Sequence, residues 1–242
     1  MIVLCNGLAK SGSSFIFQIA ESLAESTGFA QESLRDQYIP AEFIPYKPHP
    51  HFVSFPPEEL NRWVESVSTT QTLVVKTHDP FTPEMEELLA AGKIKVLNSY
   101  RNPRDAAVSL WDSALKERLI IDRSKWRFGI PTFQASIMIV AHLANINAHW
   151  MKNRHTLNVG FHEITESPFE VAKNIADHLQ LEDNSFSVVS TYLKNRNRIR
   201  EYNIGLSGRH MTYMSLFEEG WSNRIYRQYD KLIAAAQHNS SS

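Results

Sequence analysis

The sequence has one cysteine among its 242 residues, Cys5. A single cysteine cannot form a disulfide within the chain, which is typical of proteins from a reducing compartment. Cys5 ends an apolar run that starts at Met1, so we interpret it as a small buried side chain. That run is too short for the apolar region of a signal peptide, and the longest later one is interrupted by His142, Asn145 and Asn147. We therefore expect a cytoplasmic protein that does not enter the membrane.

The sequence also lacks an excess of charge of one sign. It contains 25 lysines and arginines against 26 aspartates and glutamates, for a formal net charge of -1. A chain so close to neutrality is not attracted as a whole to nucleic acid or to an anionic membrane. We expect neither as a partner, and we interpret the basic run at 194–200 as a solvated helix face. Any anion site must then be local, which favours a small ligand.

Internal repeats are missing as well, and the composition is ordinary for a globular protein. Apolar residues make up 43% of the chain and charged residues 21%, which excludes a fibrous or a disordered protein. The length fits one large α/β domain. We predict one domain over residues 1–242, with a disordered tail at 238–242.

Short apolar runs alternate with stretches of helical periodicity along the chain. The runs predict strands at 1–5, 72–75, 94–100 and 157–161. The periodic stretches predict helices at 13–26, 58–67, 83–91, 104–118, 133–150, 167–179 and 218–236. Because the strands are apolar throughout and alternate with helices, we predict an α/β fold with a parallel sheet of four to five strands and helices on both faces.

The stretch from Tyr38 to Pro57 is rich in proline and in aromatic residues. We expect no regular element at that density of proline. A loop of this length in a compact domain is either a functional wall or lid, or a disordered segment. Its aromatic content favours a wall that lines a binding site.

The loop from Gly7 to Ser14 joins the first predicted strand to the first predicted helix. A strand, a glycine-bracketed loop and a helix form an arrangement that binds phosphate, because the free amides and the helix dipole favour an anion. Gly7 and Gly12 have the spacing of the Walker A pattern GxxxxGK[ST], but Ser13 holds its lysine position and the lysine lies inside the loop, at Lys10. This departure argues against ordinary ATP binding. The alternative interpretation is a plain turn in which Ser11 or Ser13 caps the helix.

Cationic side chains and one imidazole follow the ends of three predicted strands. Lys10 follows the first strand, Lys76 and His78 the second, and Arg101 the third. In a parallel sheet, ligands bind beyond the carboxyl ends of the strands, so these side chains should converge. Three cations beside a titratable imidazole suggest a polyanionic ligand and a proton transfer.

Three segments resemble the family of sulfotransferases that use 3′-phosphoadenosine 5′-phosphosulfate (PAPS). The segment Lys10-Ser11-Gly12-Ser13-Ser14-Phe15 resembles the PKSGTTW loop of that family, which binds the 5′-phosphosulfate. The segment from Tyr100 to Trp111 resembles RNPxDxxVSxx, which binds the 3′-phosphate, and its Arg101 to Ser109 spacing is matched in full. The segment from Lys76 to Pro80 is similar to KTHLP, which holds a catalytic histidine.

This resemblance implies a P-loop NTPase-like three-layer sandwich and a role for each matching residue. The 5′-phosphosulfate would be bound by Lys10, Ser11, Gly12, Ser13, Ser14 and Phe15. His78 would remove the proton of an acceptor hydroxyl or amine, Lys10 would neutralise the departing phosphate oxygen, and Lys76 would stabilise the sulfuryl oxygens. Arg101 and Ser109 would bind the 3′-phosphate. The product would be the desulfated nucleotide, PAP, and no metal is implied.

The resemblance weakens toward the end of the chain. Phe161 lies where the family often has tyrosine, so it can pack on adenine without donating a hydrogen bond. Gly208 fits the family's RKGxxGxW segment, but its basic pair is replaced by Leu206 and Ser207. Arg209 is either the second 3′-phosphate cation or a plain surface arginine. The dimerisation segment of many cytosolic members is not evident, so the oligomeric state stays open.

Two other functions remain open from the sequence, as does the acceptor. One is a small-molecule kinase that uses ATP and magnesium, which Ser13 and Lys76 disfavour. The other is a non-catalytic module that binds PAP, which has no need of His78. The acceptor is expected to be a small molecule. Its candidate contacts are Phe17, Phe81 and Trp111, with further aromatic candidates at Phe52, Phe55, Trp126 and Phe128.

Overall fold

Four parallel strands form the centre of the computed structural model, which describes residues 1–45, 52–119, 129–195 and 208–240. The strands are β1 (Ile2–Gly7), β2 (Leu73–Lys76), β3 (Ile94–Tyr100) and β4 (Thr156–Gly160). Their order in the sheet is β2-β1-β3-β4, and every neighbouring pair is parallel. All four carboxyl ends therefore lie along one edge. The predicted α/β class with a central parallel sheet is confirmed.

Helices connect the strands and flank the sheet. In chain order they are α1 (Ser13–Glu25), α2 (Gln31–Tyr38), α3 (Pro57–Ser66), α4 (Pro83–Ala90), α5 (Pro103–Leu119), α6 (Phe133–Lys152), α7 (Phe161–Glu166), α8 (Pro168–Leu179), α9 (Ser185–Asn195), α10 (His210–Tyr213), α11 (Leu216–Ile225) and α12 (Arg227–Ser240). A short 3₁₀ helix spans Ala41–Phe43. Among the described residues, no helix combines the length and the apolar character that crossing a membrane requires.

The alternation of side chains along β1 creates a hydrophobic core on each side of the sheet. Val3 and Cys5 pack with α1, α8 and α9 on one side. Ile2 and Leu4 pack with α3, α4 and the chain around Val53 on the other. Because every residue of β1 is buried, its sequence does not alternate between polar and apolar residues.

A third hydrophobic cluster holds the last part of the chain on α5 and α6. The single closing helix predicted at 218–236 is wrong, because the chain forms α11 and α12 with a break at Tyr226. The Tyr226 side chain is buried, and its hydroxyl donates to the carbonyl of Ile137 at 2.8 Å. Arg104 at the start of α5 binds Asp230 of α12 through two hydrogen bonds, at 3.0 and 2.8 Å.

Asparagine side chains link three neighbouring strands. Asn6, Asn98 and Asn158 lie side by side in the strand register. Asn6 donates to Asn98 at 3.2 Å and Asn98 donates to Asn158 at 2.8 Å. Asn147 of α6 donates to Asn98 at 2.6 Å and accepts from the hydroxyl of Tyr229 in α12 at 2.6 Å. Each buried amide thereby finds partners, and the ladder ties the C-terminal helix to the sheet.

The structure corrects several other expectations about secondary structure. The stretch from 38 to 57 contains the 3₁₀ helix, while 46–51 lies outside the described residues. The tail predicted from 238 onward is helical up to Ser240. Phe161 begins α7 instead of ending a strand, because the carboxylate of Glu163 accepts a hydrogen bond from the amide of Gly160 and turns the chain there. Helix α2 was not predicted, because its sequence is polar and short of apolar periodicity.

The outer edge of β2 is closed by a buried glutamine. Gln31 donates to the carbonyl of Thr72 at 2.7 Å and accepts from the amide of Val74 at 2.8 Å. Its side chain is 0% exposed, so it stands in for a neighbouring strand at an edge that would otherwise leave these backbone groups unpaired.

We predict that Gln31→Leu lowers the free energy of unfolding by about 2–4 kcal/mol, because it leaves two buried backbone groups without partners. Urea denaturation followed by circular dichroism measures this change. The control is Gln37→Leu, which alters an exposed glutamine of the same helix and should change stability by less than about 0.5 kcal/mol. Equal effects of the two substitutions would contradict the role given to Gln31.

Candidate functional site

The loop between β1 and α1 lies at the carboxyl edge of the sheet, in close contact with β3. Gly7 pairs with Ser99 across the two strands, and a Cβ at position 7 would lie 2.1 Å from the Ser99 Oγ. Lys10 and Gly12 both have left-handed backbone conformations, with φ of 68° and 91°. Only a glycine fits at position 7, and two left-handed residues fold the loop tightly over the end of β1.

Ser11 and Ser99 lock this loop to β3. The Ser11 hydroxyl donates to the Ser99 carbonyl at 3.1 Å, and the two hydroxyl oxygens are 2.6 Å apart. The amide of Leu8 also donates to the Ser99 carbonyl, at 3.0 Å. Both serines are 0% exposed. The Ser11 side chain therefore holds the loop against β3.

Helix α1 starts at this loop, and its N-cap residue makes no side-chain cap hydrogen bond. Its N-cap residue is Gly12, and its first turn contains no acidic residue. The alternative in which Ser11 or Ser13 caps the helix is wrong, because Gly12 holds that position and the Ser11 hydroxyl is used by Ser99. A helix N-terminus with no acidic residue in its first turn favours an anionic ligand.

Lys76 brings a buried positive charge to the same helix end. Its ammonium group donates to the Ser14 Oγ at 2.9 Å, and the residue is 7% exposed. The pairing of Lys76 with Cys5 at the end of β2 fixes this position. Burial raises the pKa of the Cys5 thiol, against the opposing effect of the Lys76 charge. Ser14, predicted to bind the 5′-phosphosulfate, and Lys76, predicted to stabilise the sulfuryl oxygens, are thus in contact.

Arg101, at the end of β3, lies against the loop on the other side. Its guanidinium donates to the Lys10 carbonyl at 3.1 Å and stacks on the ring of Phe161, 3.8 Å from the ring centre. Burial lowers the pKa of Arg101 to about 10, although Asp105 acts in the opposite direction and Arg209 adds to the lowering. Arg101 therefore stays protonated at neutral pH. Phe161 contacts this cation at the place where the sequence predicted a contact with adenine.

Asp105 in the first turn of α5 holds the chain at Gly208 and His210. Its carboxylate accepts from the amide of Gly208 at 2.7 Å, from the amide of His210 at 3.0 Å, and from the His210 Nδ1 at 2.9 Å. Burial acts to raise the pKa of Asp105, but these hydrogen bonds and the Arg101 charge outweigh it and hold the pKa at about 2. Asp105 is therefore ionised at neutral pH and fixes the segment 208–210.

Arg209 lies in that segment and is oriented toward α5. Its guanidinium forms an ion pair with Asp112, and its side chain is 9% exposed. It also lies over the ring of Tyr213, 5.3 Å from the ring centre. Because its charge lowers the pKa of Arg101, the two arginines share one electrostatic environment. Arg209 is a largely buried cation and differs in this from a plain surface arginine.

His78 lies two residues beyond β2. It is half-buried, beside the segment that begins at Phe52. Its imidazole and the Phe52 ring are 5.2 Å apart between centroids, with the planes tilted by 52°. Phe52 forms a parallel bridge with Lys76, and the amide of Val53 donates to the Lys76 carbonyl at 2.8 Å. The Phe52 ring therefore forms an aromatic wall beside the His78 imidazole.

The aromatic residues predicted at the acceptor site lie in three different clusters. Phe17 is buried with the core of α1, α8 and α9, Phe81 packs edge-on against Trp150, and Trp111 packs with α5 and α6. Trp126 and Phe128 lie outside the described residues, as does 196–200 of the basic run. Phe15 packs against Tyr192, with ring centroids 4.8 Å apart, and Ser109 is buried in α5.

Several residues that shape the site were not singled out by sequence reasoning. Ser99, Asp105 and Asp112 position the loop and the segment 208–210. Asp105 stands at the aspartate of the quoted RNPxD pattern, which was the available signal, but its partners are more than 100 positions away. Ser99 has no local signal, because a buried serine in a strand is usual. Among the described residues, no group of three histidine, cysteine or acidic side chains is arranged to hold a metal ion.

Known proteins resemble this chain in sequence and in fold. The sequence profile of the sulfotransferase domain matches residues 2–198. A search of curated protein sequences gave no significant match.

Solved structures with the same fold include two retinol dehydratase complexes and a mouse sulfotransferase. Retinol dehydratase with retinol and PAP is 12% identical, with a TM-score of 0.58, and the match covers 94% of this chain and 80% of that chain. Retinol dehydratase with androsterone and inactive cofactor PAP is 15% identical, with a TM-score of 0.53 and coverage of 97% and 80%. The mouse sulfotransferase complexed with PAP is 13% identical, with a TM-score of 0.56 and coverage of 99% and 88%.

We predict that Gly7→Ala destabilises the protein by about 1–3 kcal/mol, because the new Cβ overlaps the Ser99 Oγ and that hydroxyl cannot turn away without breaking its contact with Ser11. Thermal and urea denaturation measure the change. The matched control is Gly220→Ala in α11, where a Cβ meets no atom within 4 Å. This control should stabilise the protein slightly, since alanine favours a helix.

The clash itself is tested by adding Ser99→Ala to Gly7→Ala. Removing the Ser99 hydroxyl relieves the closest overlap but leaves the Ser13 Cβ 2.9 Å from the new methyl group. The double variant should therefore regain part of the loss and be more stable than the sum of the two single effects predicts. Strict additivity would contradict the close approach of the two strands as the reason for glycine at position 7.

Proposed function

The chain belongs to the sulfotransferase domain family, and from that premise we propose that it transfers the sulfuryl group of PAPS to a hydroxyl or amine of a small-molecule acceptor. The proposal assigns the loop at Lys10–Ser14, with Lys76, to the 5′-phosphosulfate of the donor. It assigns Arg101, Ser109 and Arg209 to the 3′-phosphate. His78 is assigned to the acceptor as its general base.

The observation that carries the proposal is the division of the buried cations into two groups along one sheet edge. Lys76 lies at the N-terminus of α1, at the end of β2. Arg101 follows β3, on the other side of β1, and Arg209 pairs with Asp112 of α5 and contributes to the lowered pKa of Arg101. PAPS carries anionic groups at two separate positions of its ribose, whereas ATP carries one unbroken chain of phosphates. Two separate cation groups suit the first ligand better than the second.

The residues at the α1 end suit the 5′ group. Amides at a helix N-terminus can donate to phosphate oxygens. The buried ammonium of Lys76, 2.9 Å from the Ser14 hydroxyl, supplies a charge at the same point. A Walker A loop would place a lysine where Ser13 stands, so the charge has to come from Lys10 and Lys76 here.

The residues at the α5 end suit the 3′ group. Arg101 is held in place by the Lys10 carbonyl and the Phe161 ring, and Arg209 by Asp112 and by the Asp105 contacts to its neighbours. Preorganised guanidinium groups bind phosphate strongly, because their side chains lose little freedom on binding. Arg209 thereby replaces the basic pair that the segment lacks.

The reaction follows from these assignments. His78 accepts the proton of the acceptor as the acceptor oxygen or nitrogen forms its bond to sulfur. The bond between sulfur and the bridging oxygen breaks, its electron pair stays on the 5′-phosphate, and PAP leaves. Lys10 stabilises the charge that develops on this oxygen, and Lys76 stabilises the sulfuryl oxygens in the transition state.

Two further aspects of the proposal concern the acceptor and the location. Retinol dehydratase, which has the same fold, was crystallised with retinol and with androsterone, and this supports a small-molecule acceptor here. The buried thiol of the only cysteine, Cys5, supports a reducing compartment such as the cytoplasm.

We predict that Ser109→Ala weakens the binding of PAP by about 10-fold or more, because one hydrogen bond to a charged phosphate is lost. Binding of adenosine 5′-phosphate, which lacks the 3′-phosphate, should stay unchanged. Isothermal titration calorimetry measures both affinities. Ser113→Ala is the matched control, since Ser113 lies one turn further along α5 and donates to the Ser109 carbonyl. Equal losses for both nucleotides would show that Ser109 does not bind the 3′-phosphate.

We predict that His78→Ala lowers kcat by about 100-fold or more while PAP binds as in the unaltered protein, because a general base acts in the chemical step alone. Transfer of radiolabelled sulfate from PAPS to an acceptor found by screening small phenols, alcohols and amines measures kcat. His155→Ala, at an exposed histidine, is the control. Turnover near that of the unaltered protein would reject His78 as the base.

A further inference from the structure

The strap formed by residues 52–55 is fastened to the end of β2 at two points. At the first, Phe52 and Val53 pair with Lys76, and the amide of Val53 donates to the Lys76 carbonyl at 2.8 Å. Val53 is 0% exposed, and Phe55 packs against Trp63 with ring centroids 4.9 Å apart. The backbone of the strap therefore runs alongside the strand end that carries His78.

The second fastening point is the carboxylate of Asp79. Its Oδ1 accepts from the Ser54 hydroxyl at 2.9 Å, and its Oδ2 accepts from the amide of Phe55 at 3.0 Å. Both oxygens are thus used, one for a side chain and one for the backbone of the strap. A charged acceptor makes these bonds stronger than neutral ones. Asp79 stands where the family segment KTHLP has leucine, so this fastening is a feature of the present chain.

Asp79 is itself held rigidly. Its amide donates to the Thr77 Oγ1 at 3.0 Å, and its carbonyl accepts from the indole of Trp150 at 3.1 Å. Thr77 and Trp150 are both 0% exposed. The carboxylate therefore starts from a backbone fixed in the core, and it passes that rigidity to the strap.

The two fastening points lie on either side of His78 in the sequence. Between them, the Phe52 ring lies 5.2 Å from the imidazole. The amide of Ser54 also donates to the Phe43 carbonyl at 2.9 Å, and the Asp79 carboxylate supplies the two bonds that join the strap to the chain just beyond His78. We propose that Asp79 is a positioning residue that, by fastening the strap, holds the Phe52 ring against His78 as one wall of the acceptor site. The acceptor part of this inference rests on the proposed function, in which His78 is the base.

The first test follows the accessibility of His78 and needs no acceptor. Diethyl pyrocarbonate acylates accessible neutral imidazoles, and peptide mass spectrometry gives the rate at His78 with exposed His155 as the internal standard. Asp79→Ala and Phe52→Ala should each raise the relative rate at His78 by about 5-fold, because each removes the ring from the imidazole. The double variant should be modified no faster than either single variant, since both act through the same contact.

Controls separate this effect from general loosening. Asp36→Ala removes an exposed carboxylate from α2 and should leave the rate unchanged. Asp79→Asn retains one acceptor oxygen but cannot accept from both donors, so its rate should lie between those of the unaltered protein and Asp79→Ala. This variant also keeps the test decisive if Asp79→Ala folds poorly. Unchanged rates in both Asp79 variants, or rates that multiply in the double variant, would overturn the proposal.

The second test uses turnover, with 2-naphthol as a simple hydroxyl acceptor and radiolabelled PAPS as donor. Asp79→Ala should raise the KM for 2-naphthol by about 5–10-fold and leave the KM for PAPS within about 2-fold. A merely structural role would move both KM values together, and that result would contradict the proposal. If His78→Ala keeps its activity, the base assignment fails, yet the acylation rates still decide whether Asp79 positions the ring.

Discussion

The close packing of the β1–α1 loop against Ser99 is the contact on which the rest of the site depends. The Ser99 hydroxyl fills the space beside Gly7 and meets the Ser11 hydroxyl at 2.6 Å, so the loop can take only one course over the sheet edge. That course makes Gly12 the N-cap residue of α1. It also presents the Lys10 carbonyl to Arg101, which links the loop to the end of β3. A shift of the loop would therefore disturb both cation groups at once.

This edge of the sheet holds buried cations, although the protein as a whole is nearly neutral. Burying a charge is unfavourable unless it is paired, and the structure pairs Arg209 with Asp112 and steadies the neighbouring backbone with the ionised Asp105. Burial lowers the pKa of Arg101, and the attraction of a bound anion would offset the free-energy cost of burying its charge. The segment that carries Arg209 lies beyond the residues matched by the family profile, and it depends on α5 for its position.

Much of the architecture is predictable from the sequence because it depends on local patterns. Apolar strands and periodic helices predict the parallel sheet, and the parallel sheet predicts that Lys10, Lys76 and Arg101 meet at one edge. The features that escaped prediction depend on contacts between distant positions. Asp105 with Gly208, Asn147 with Tyr229, and Gln31 with Thr72 have no local signature. Helices α11 and α12 separate at Tyr226, whose buried hydroxyl donates to the Ile137 carbonyl. Hydrophobic periodicity does not predict such a break. Aromatic residues were ambiguous in the same way, because the same residue types line pockets and fill cores. Phe17 and Phe81 were predicted to line a pocket, and both pack in the hydrophobic cores.

The measurement that tests the central claim most directly is isothermal titration calorimetry of the unaltered protein with PAP and, separately, with ATP and magnesium. Two separate cation groups predict one PAP molecule bound per chain, with an affinity at least about 100-fold higher than that for ATP with magnesium, because the 3′-phosphate meets a group of its own. An affinity for ATP with magnesium equal to that for PAP, or no binding of PAP, would contradict the account.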